Sequence, residues 1–216
     1  MKGQYTGLAL TALVLFTSCI GIKSDIVIRG DESGTINLEY RIARGLESMG
    51  KLDGTEKWPP GPVGRTDFER TAARVPGLRV ASFSSRTEDG DLVNRIRLEF
   101  ASLDALTGFL DAGGNLAALY REQGGTRLVL VLGGGNSGAA DPALLELVRS
   151  SAETYRLDFS LTLPGDGAFT FIDSTGRSLA GPPAGAVNIR GRTAAFSCPI
   201  GDLLASAEPV ILEMRW

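Results

Sequence analysis

The chain has 216 residues, with 22 lysine and arginine side chains against 25 aspartate and glutamate, a net charge of −3 and no histidine. This slightly acidic balance offers no basic stripe for phosphates, which argues against a nucleic-acid partner. Without histidine there is no Ser-His-Asp or Cys-His catalysis, and the commonest transition-metal ligand is missing.

The first feature in chain order is an export signal. Lys2 precedes an apolar run over 8–16, which Thr17-Ser18-Cys19 closes. The run is too short to span a bilayer as a helix, which takes about 20 residues. Small residues just before a cysteine are what a peptidase that cuts ahead of a lipidated cysteine requires. Residues 1–18 therefore read as a lipoprotein signal peptide, and the mature chain is expected to begin at an acylated Cys19. Losing Lys2 leaves 21 basic against 25 acidic side chains, a charge of −4. The next residue, Ile20, is not the aspartate that retains lipoproteins at an inner membrane, so an outer membrane is favoured where the cell has one. Residues 19–216 suffice for one core, read as a single extracytoplasmic domain. With Cys19 acylated, Cys198 has no disulfide partner; beside Phe196 in an apolar strand it reads as a buried structural thiol.

Ile20, Ile22, Ile26 and Ile28 alternate with polar residues, interrupted by Ser24, and Ile36, Leu38, Tyr40 and Ile42 alternate again after the Asp31-Glu32-Ser33-Gly34 turn. This predicts a β-hairpin starting at the lipid anchor. Over 44–65 periodicity is lost, and Trp58-Pro59-Pro60-Gly61-Pro62 marks a long loop. Thr66-Asp67-Phe68-Glu69 predicts a capping box opening a helix to about Val75, stopped by Pro76-Gly77. An extended segment over 78–84, a turn at Glu88-Asp89-Gly90-Asp91 and a strand over 92–100 follow. Ser102 is expected to cap a helix using Leu103, Leu106 and Leu110. Segments 116–122 and 127–132 form another extended pair, and Asp141-Pro142 opens a helix to about Ala152. The alternation of Tyr155, Leu157, Phe159, Leu161 and Leu163 predicts a strand with one wet face, with 168–172 as its partner. A hairpin about Gly191, a helical turn near Asp202 and a terminal strand over 210–216 complete the chain. The expected fold class is α+β: mostly antiparallel sheet built from hairpins, with short amphipathic helices packed on one side. A strand-strand-helix unit is read around 22–75, 78–112 and 116–152.

Few residues carry chemistry. Gly133-Gly134-Gly135-Asn136-Ser137-Gly138 fits G-x-G-x-x-G, but its helix opens only at Asp141 and its strand reads as half a hairpin. It is taken as a connection rather than a dinucleotide site. Glu88, Asp89 and Asp91 are too few and too close in sequence to wrap a calcium ion and read as a turn. No metal or cofactor is expected. The candidate ligand-binding residues are Trp58, in its Pro-Gly loop, and Arg79, Arg86, Arg95 and Arg97, which can share the outer face of adjacent strands and offer a basic patch to lipid phosphates or acidic sugars. The alternative is an ordinary solvent face, with Glu99 pairing some of them.

The stretch Cys19-Ile20-Gly21-Ile22-Lys23-Ser24-Asp25-Ile26-Val27-Ile28, followed by Asp31-Glu32-Ser33-Gly34-Thr35-Ile36, resembles the start of LppM-like bacterial lipoproteins. Val187-Asn188-Ile189-Arg190-Gly191-Arg192-Thr193 resembles that family's closing hairpin. The resemblance implies an extracytoplasmic α+β domain that associates with envelope lipids or glycolipids and has no enzyme activity. The resulting expectation is a non-enzymatic envelope lipoprotein, held to the membrane by acylated Cys19, that binds a lipid, glycolipid or protein partner. Its rivals are a histidine-free enzyme using carboxylates such as Asp158 or Glu88 on envelope polysaccharide, and a structural surface antigen.

Overall fold

The computed structural model describes residues 20–43, 64–111, 114–135 and 154–216. Trp58, the 44–63 part of the long loop, the 141–152 helix and Cys19 lie outside them.

The described residues are dominated by sheet, mostly antiparallel, with short helices. In chain order they are β1 (Ile20–Ile28), β2 (Gly34–Ile42), α1 (Arg65–Arg74), β3 (Leu78–Glu88), β4 (Asp91–Phe100), α2 (Leu103–Leu110), β5 (Ala117–Glu122), β6 (Gly125–Gly134), β7 (Arg156–Thr162), β8 (Ala168–Ile172), β9 (Ser178–Leu179), β10 (Ala186–Arg190), β11 (Thr193–Pro199), α3 (Ile200–Ala205) and β12 (Pro209–Arg215). They make a seven-stranded sheet, ordered β10-β11-β7-β1-β2-β4-β3, and a five-stranded sheet, ordered β5-β6-β12-β8-β9.

Alternation explains why both sheets bury one face. In β1 and β2, Ile26, Ile28, Ile36 and Leu38 point inward; Leu98 and Phe100 of β4, Phe159 and Leu161 of β7 and Phe196 of β11 join them. Leu128, Leu130, Phe171, Leu212 and Met214 face them from the second sheet, so both inner faces supply one core. Helix α2 touches β3 and β4 of one sheet and β5 of the other. Leu103 and Leu106 of α2 and Phe68 of α1 enter the same core.

Two expectations need correction. Helix α1 begins two residues early: Gly64 is its N-cap and donates its backbone N–H to Asp67 Oδ2 at 3.2 Å. Thr66 thus lies inside the helix, while Glu69 is engaged by Arg65 at 2.8 Å. Strand β8 does not partner β7; it pairs with β12 in the other sheet. Strand β7 pairs with β11 and, in parallel, with β1, bringing Leu157 and Phe159 opposite Ile22 and Ser24.

Other local expectations hold. Ser102 Oγ accepts the Ala105 N–H at 3.2 Å and caps α2. Cys198 is a free thiol within the core, and burial pushes it up to about 11. The terminal strand is tied in between β6 and β8, and the Trp216 carbonyl accepts from Thr126 N–H at 2.8 Å. Gly133 and Gly134 have φ of 146° and 82°, and a Cβ on either would collide with the Leu203 side chain or the Glu208 carbonyl. These two glycines serve close packing of β6 against α3 and the turn after it, and β6 sits between two antiparallel neighbours rather than in a βαβ unit.

Candidate functional site

Among the described residues, one end of the two-sheet core is incompletely filled. Ile22 and Ser24 of β1, Leu38 and Tyr40 of β2 and Leu157 and Phe159 of β7 form one wall there. Leu130, Val131 and Leu132 of β6 with Leu116 form the opposite wall, while Thr71 of α1 and Phe109 and Leu110 of α2 close the side. The cavity is open on one side and holds about 340 Å³. That is near the lower end of the roughly 300–1,000 Å³ usual for small-molecule sites.

Three hydroxyls interrupt this apolar lining. Thr71 donates to the carbonyl of Asp67 at 2.9 Å, which spends its proton within α1. Ser24 stands on the inner face between Leu38 and Phe159. Tyr40 packs its ring 6.1 Å from that of Phe68, and burial pushes its phenol up to about 12, so it stays protonated and able to donate. The Tyr40 hydroxyl has no hydrogen bond among the described residues.

The opposite face of the same sheet is polar. Arg79 and Arg86 on β3 and Arg95 and Arg97 on β4 all lie on it, so the sequence-predicted cluster does form. Its charge is largely matched. Arg95 donates to both oxygens of Glu88, at 2.6 and 2.8 Å, and to Glu39 at 2.7 Å. Arg79 pairs with Glu99, Arg97 stands 4.0 Å from the same carboxylate, and Arg86 adds to the positive field at Glu88. The hydrogen bonds from Arg95, opposed by partial desolvation, hold the Glu88 carboxyl below the usual range. The predicted turn acids thus serve arginines: Arg41 is 3.5 Å from Asp91 and 3.9 Å from Asp89.

Asp158 accepts from Ser197 and lies on β7, four strand positions from β3 and Glu88. At about 4.8 Å per strand the strands that carry the two carboxylates are some 19 Å apart, well beyond the roughly 5–9.5 Å spacing of paired glycosidase acids.

The cavity was not legible from sequence, because each of its residues also fits an ordinary core position. The one signal was that Tyr40 and Ser24 place hydroxyls on faces whose alternation demands apolar residues.

No family model matches this chain, and no curated protein does. Among solved structures, a chimeric titin Z1Z2 functionalized with a KLER exogenous peptide from decorin aligns over 83% of this chain and 81% of its own, at 12% identity and a TM-score of 0.17. A likeness that slight carries no argument about fold or function.

Proposed function

We propose that this protein is a non-enzymatic envelope lipoprotein, anchored through an acylated Cys19, whose inter-sheet cavity takes the acyl portion of a lipid or glycolipid. The observation that carries the reading is the cavity itself: an apolar space bounded by two sheets and two helices, whose polar side chains among the described residues are all hydroxyls. Ile22 in its wall lies three residues after Cys19, so an anchored chain holds this end of the core near the membrane. Burial of apolar ligand surface at about 25 cal/mol per Å² supplies the affinity. The Tyr40 and Ser24 hydroxyls offer donors to an ester or carboxyl oxygen.

In this reading the hairpins build the walls, and the helices pack on one side, α1 and α2 closing the gap between the β3 and β5 edges. The resemblance of the chain's two ends to LppM-like lipoproteins points the same way. The reading is tested by titrating the protein with a fluorescent fatty acid and displacing it with envelope phospholipid. Saturable, displaceable binding that weakens in Leu110→Trp, a residue at the cavity side, is expected. A protein that gives no saturable signal contradicts the reading.

A further inference from the structure

The outer face of the seven-stranded sheet holds a second feature, independent of the cavity. Three adjoining depressions of about 420, 160 and 340 Å³ run across it, and Lys23 lies in the wall of all three. The register sets their floor. One row reads Asp158, Lys23, Glu39, Arg95, Ser84 across β7, β1, β2, β4 and β3; the next reads Ser160, Asp25, Asn37, Arg97, Ser82.

The acids in these rows are engaged. Asp25 accepts from Ser160, Asp158 from Ser197, and Glu39 from Arg95. Two cations are not held in the same way. Among the described residues Lys23 makes no ion pair, and the single carboxylate near Arg97, Glu99, stands 4.0 Å away. The largest depression has three cations, Lys23, Arg95 and Arg97, and two carboxylates, Asp25 and Glu39, in its lining; Glu88 and Glu99 reach Arg95 and Arg97 from outside it, which leaves Lys23 and the loosely held Arg97 as its available cations. Lys23 and Arg97 are two strands apart, about 10 Å across the sheet, and their side chains are long enough to converge above Asn37. The remaining lining is hydroxyl and amide from Ser82, Ser84 and Asn37, apart from Leu38 and Ile96, whose side chains belong to the core.

We propose that this trough binds an anionic saccharide, its carboxylate or phosphate held between Lys23 and Arg97 and its hydroxyls met by Asn37, Ser82, Ser84 and the carboxylates of Asp25 and Glu39. A protein partner fits less well in the largest depression, whose described lining has no exposed aromatic or aliphatic anchor of the kind that dominates protein interfaces; apolar side chains such as Val187 line only the third, over β7, β10 and β11. A saccharide supplies the dense hydroxyl donors and acceptors that such a floor requires. The ionised group gives the charge-assisted contacts.

The test titrates the full chain by calorimetry with tetragalacturonate, with its fully methyl-esterified counterpart, with a phosphorylated oligomannose, and with inorganic phosphate alone. Saturable binding of either anionic saccharide is expected, with little binding of the ester or of free phosphate. Lys23→Gln and Arg97→Gln are each expected to weaken it about tenfold, a loss of ~1.4 kcal/mol. Arg74→Gln, on the surface of α1, leaves it unchanged. Both trough substitutions lie on a solvent-facing surface, and circular dichroism checks that they fold; Asn37→Ala serves as a further variant. The proposal is overturned if neither anionic saccharide binds, if the ester binds as well as the acid, if free phosphate binds as tightly as the saccharides, or if both cation variants bind like the parent.

Discussion

The two faces of the seven-stranded sheet are built from the same strands and obey opposite rules. On β1 and β2, Ile26, Ile36 and Leu38 are sealed in the core, whereas Asp25 and Glu39, one residue away in sequence, stand with Lys23 on the charged solvent face. A side-chain period of two puts both sets on one strand. On the inner face stability comes from excluding water, so a substitution there costs in proportion to the volume lost. On the outer face each charge keeps its water, and the Arg95–Glu88–Glu39 cluster contributes little to folding for its size. The outer face is therefore free to be shaped by recognition, while the inner face can host a ligand only where packing is left incomplete.

The contrast is broken most severely from the inside. Phe196→Ala removes a ring that is 2% exposed and sits 6.3 Å from that of Phe171, and is expected to cost about 3–5 kcal/mol in urea unfolding. Gly34→Ala comes next. Its Cβ would collide with the Val27 carbonyl and the Phe100 ring, where β1, β2 and β4 converge, and a loss of about 1–3 kcal/mol is expected from the same measurement. The outer face should respond far less: Arg95→Gln is expected to lower stability by less than about 1 kcal/mol, with the loss shrinking further in high salt.

A pH series sharpens the comparison. The folded-state pKa of Tyr40, raised by burial, lies above its unfolded value near 10, so its contribution to stability is complete below pH 10 and is lost as pH climbs towards 12. Tyr40→Phe removes that part of the alkaline loss, read from thermal melts between pH 9 and 12. Glu88 behaves in the opposite sense. Its folded pKa is depressed by Arg95, so its contribution is present above the ordinary carboxylate range and fades as pH falls below it. Glu88→Gln should flatten that acid limb slightly.

The strands of the wet-faced sheet were readable because their alternation is local: β1, β2, β4 and β7 each carry the signal within themselves. Partners distant in sequence were not. Nothing in Arg156–Thr162 announces that it lies parallel to Ile20–Ile28, and the nearest strand in sequence, Ala168–Ile172, joined the other sheet. The start of α1 was misplaced because two overlapping patterns compete, Thr66 with Glu69 and Gly64 with Asp67. The second won because Asp67 reaches back to the Gly64 N–H while Glu69 is drawn to Arg65. The arginine cluster was legible as a face, since strand parity fixes it. Its neutralisation was not, because Glu39 reaches Arg95 from 56 residues away. The cavity escaped altogether, being a gap among the described residues that six elements share.

The most direct test of the central claim is native mass spectrometry, with lipid extraction, of the full chain produced in a cell envelope, comparing the parent with Leu110→Trp. A co-purifying lipid of defined mass is expected on the parent, reduced or absent in the folded variant. A parent that emerges free of lipid, and stays so after incubation with envelope lipids, would contradict that claim.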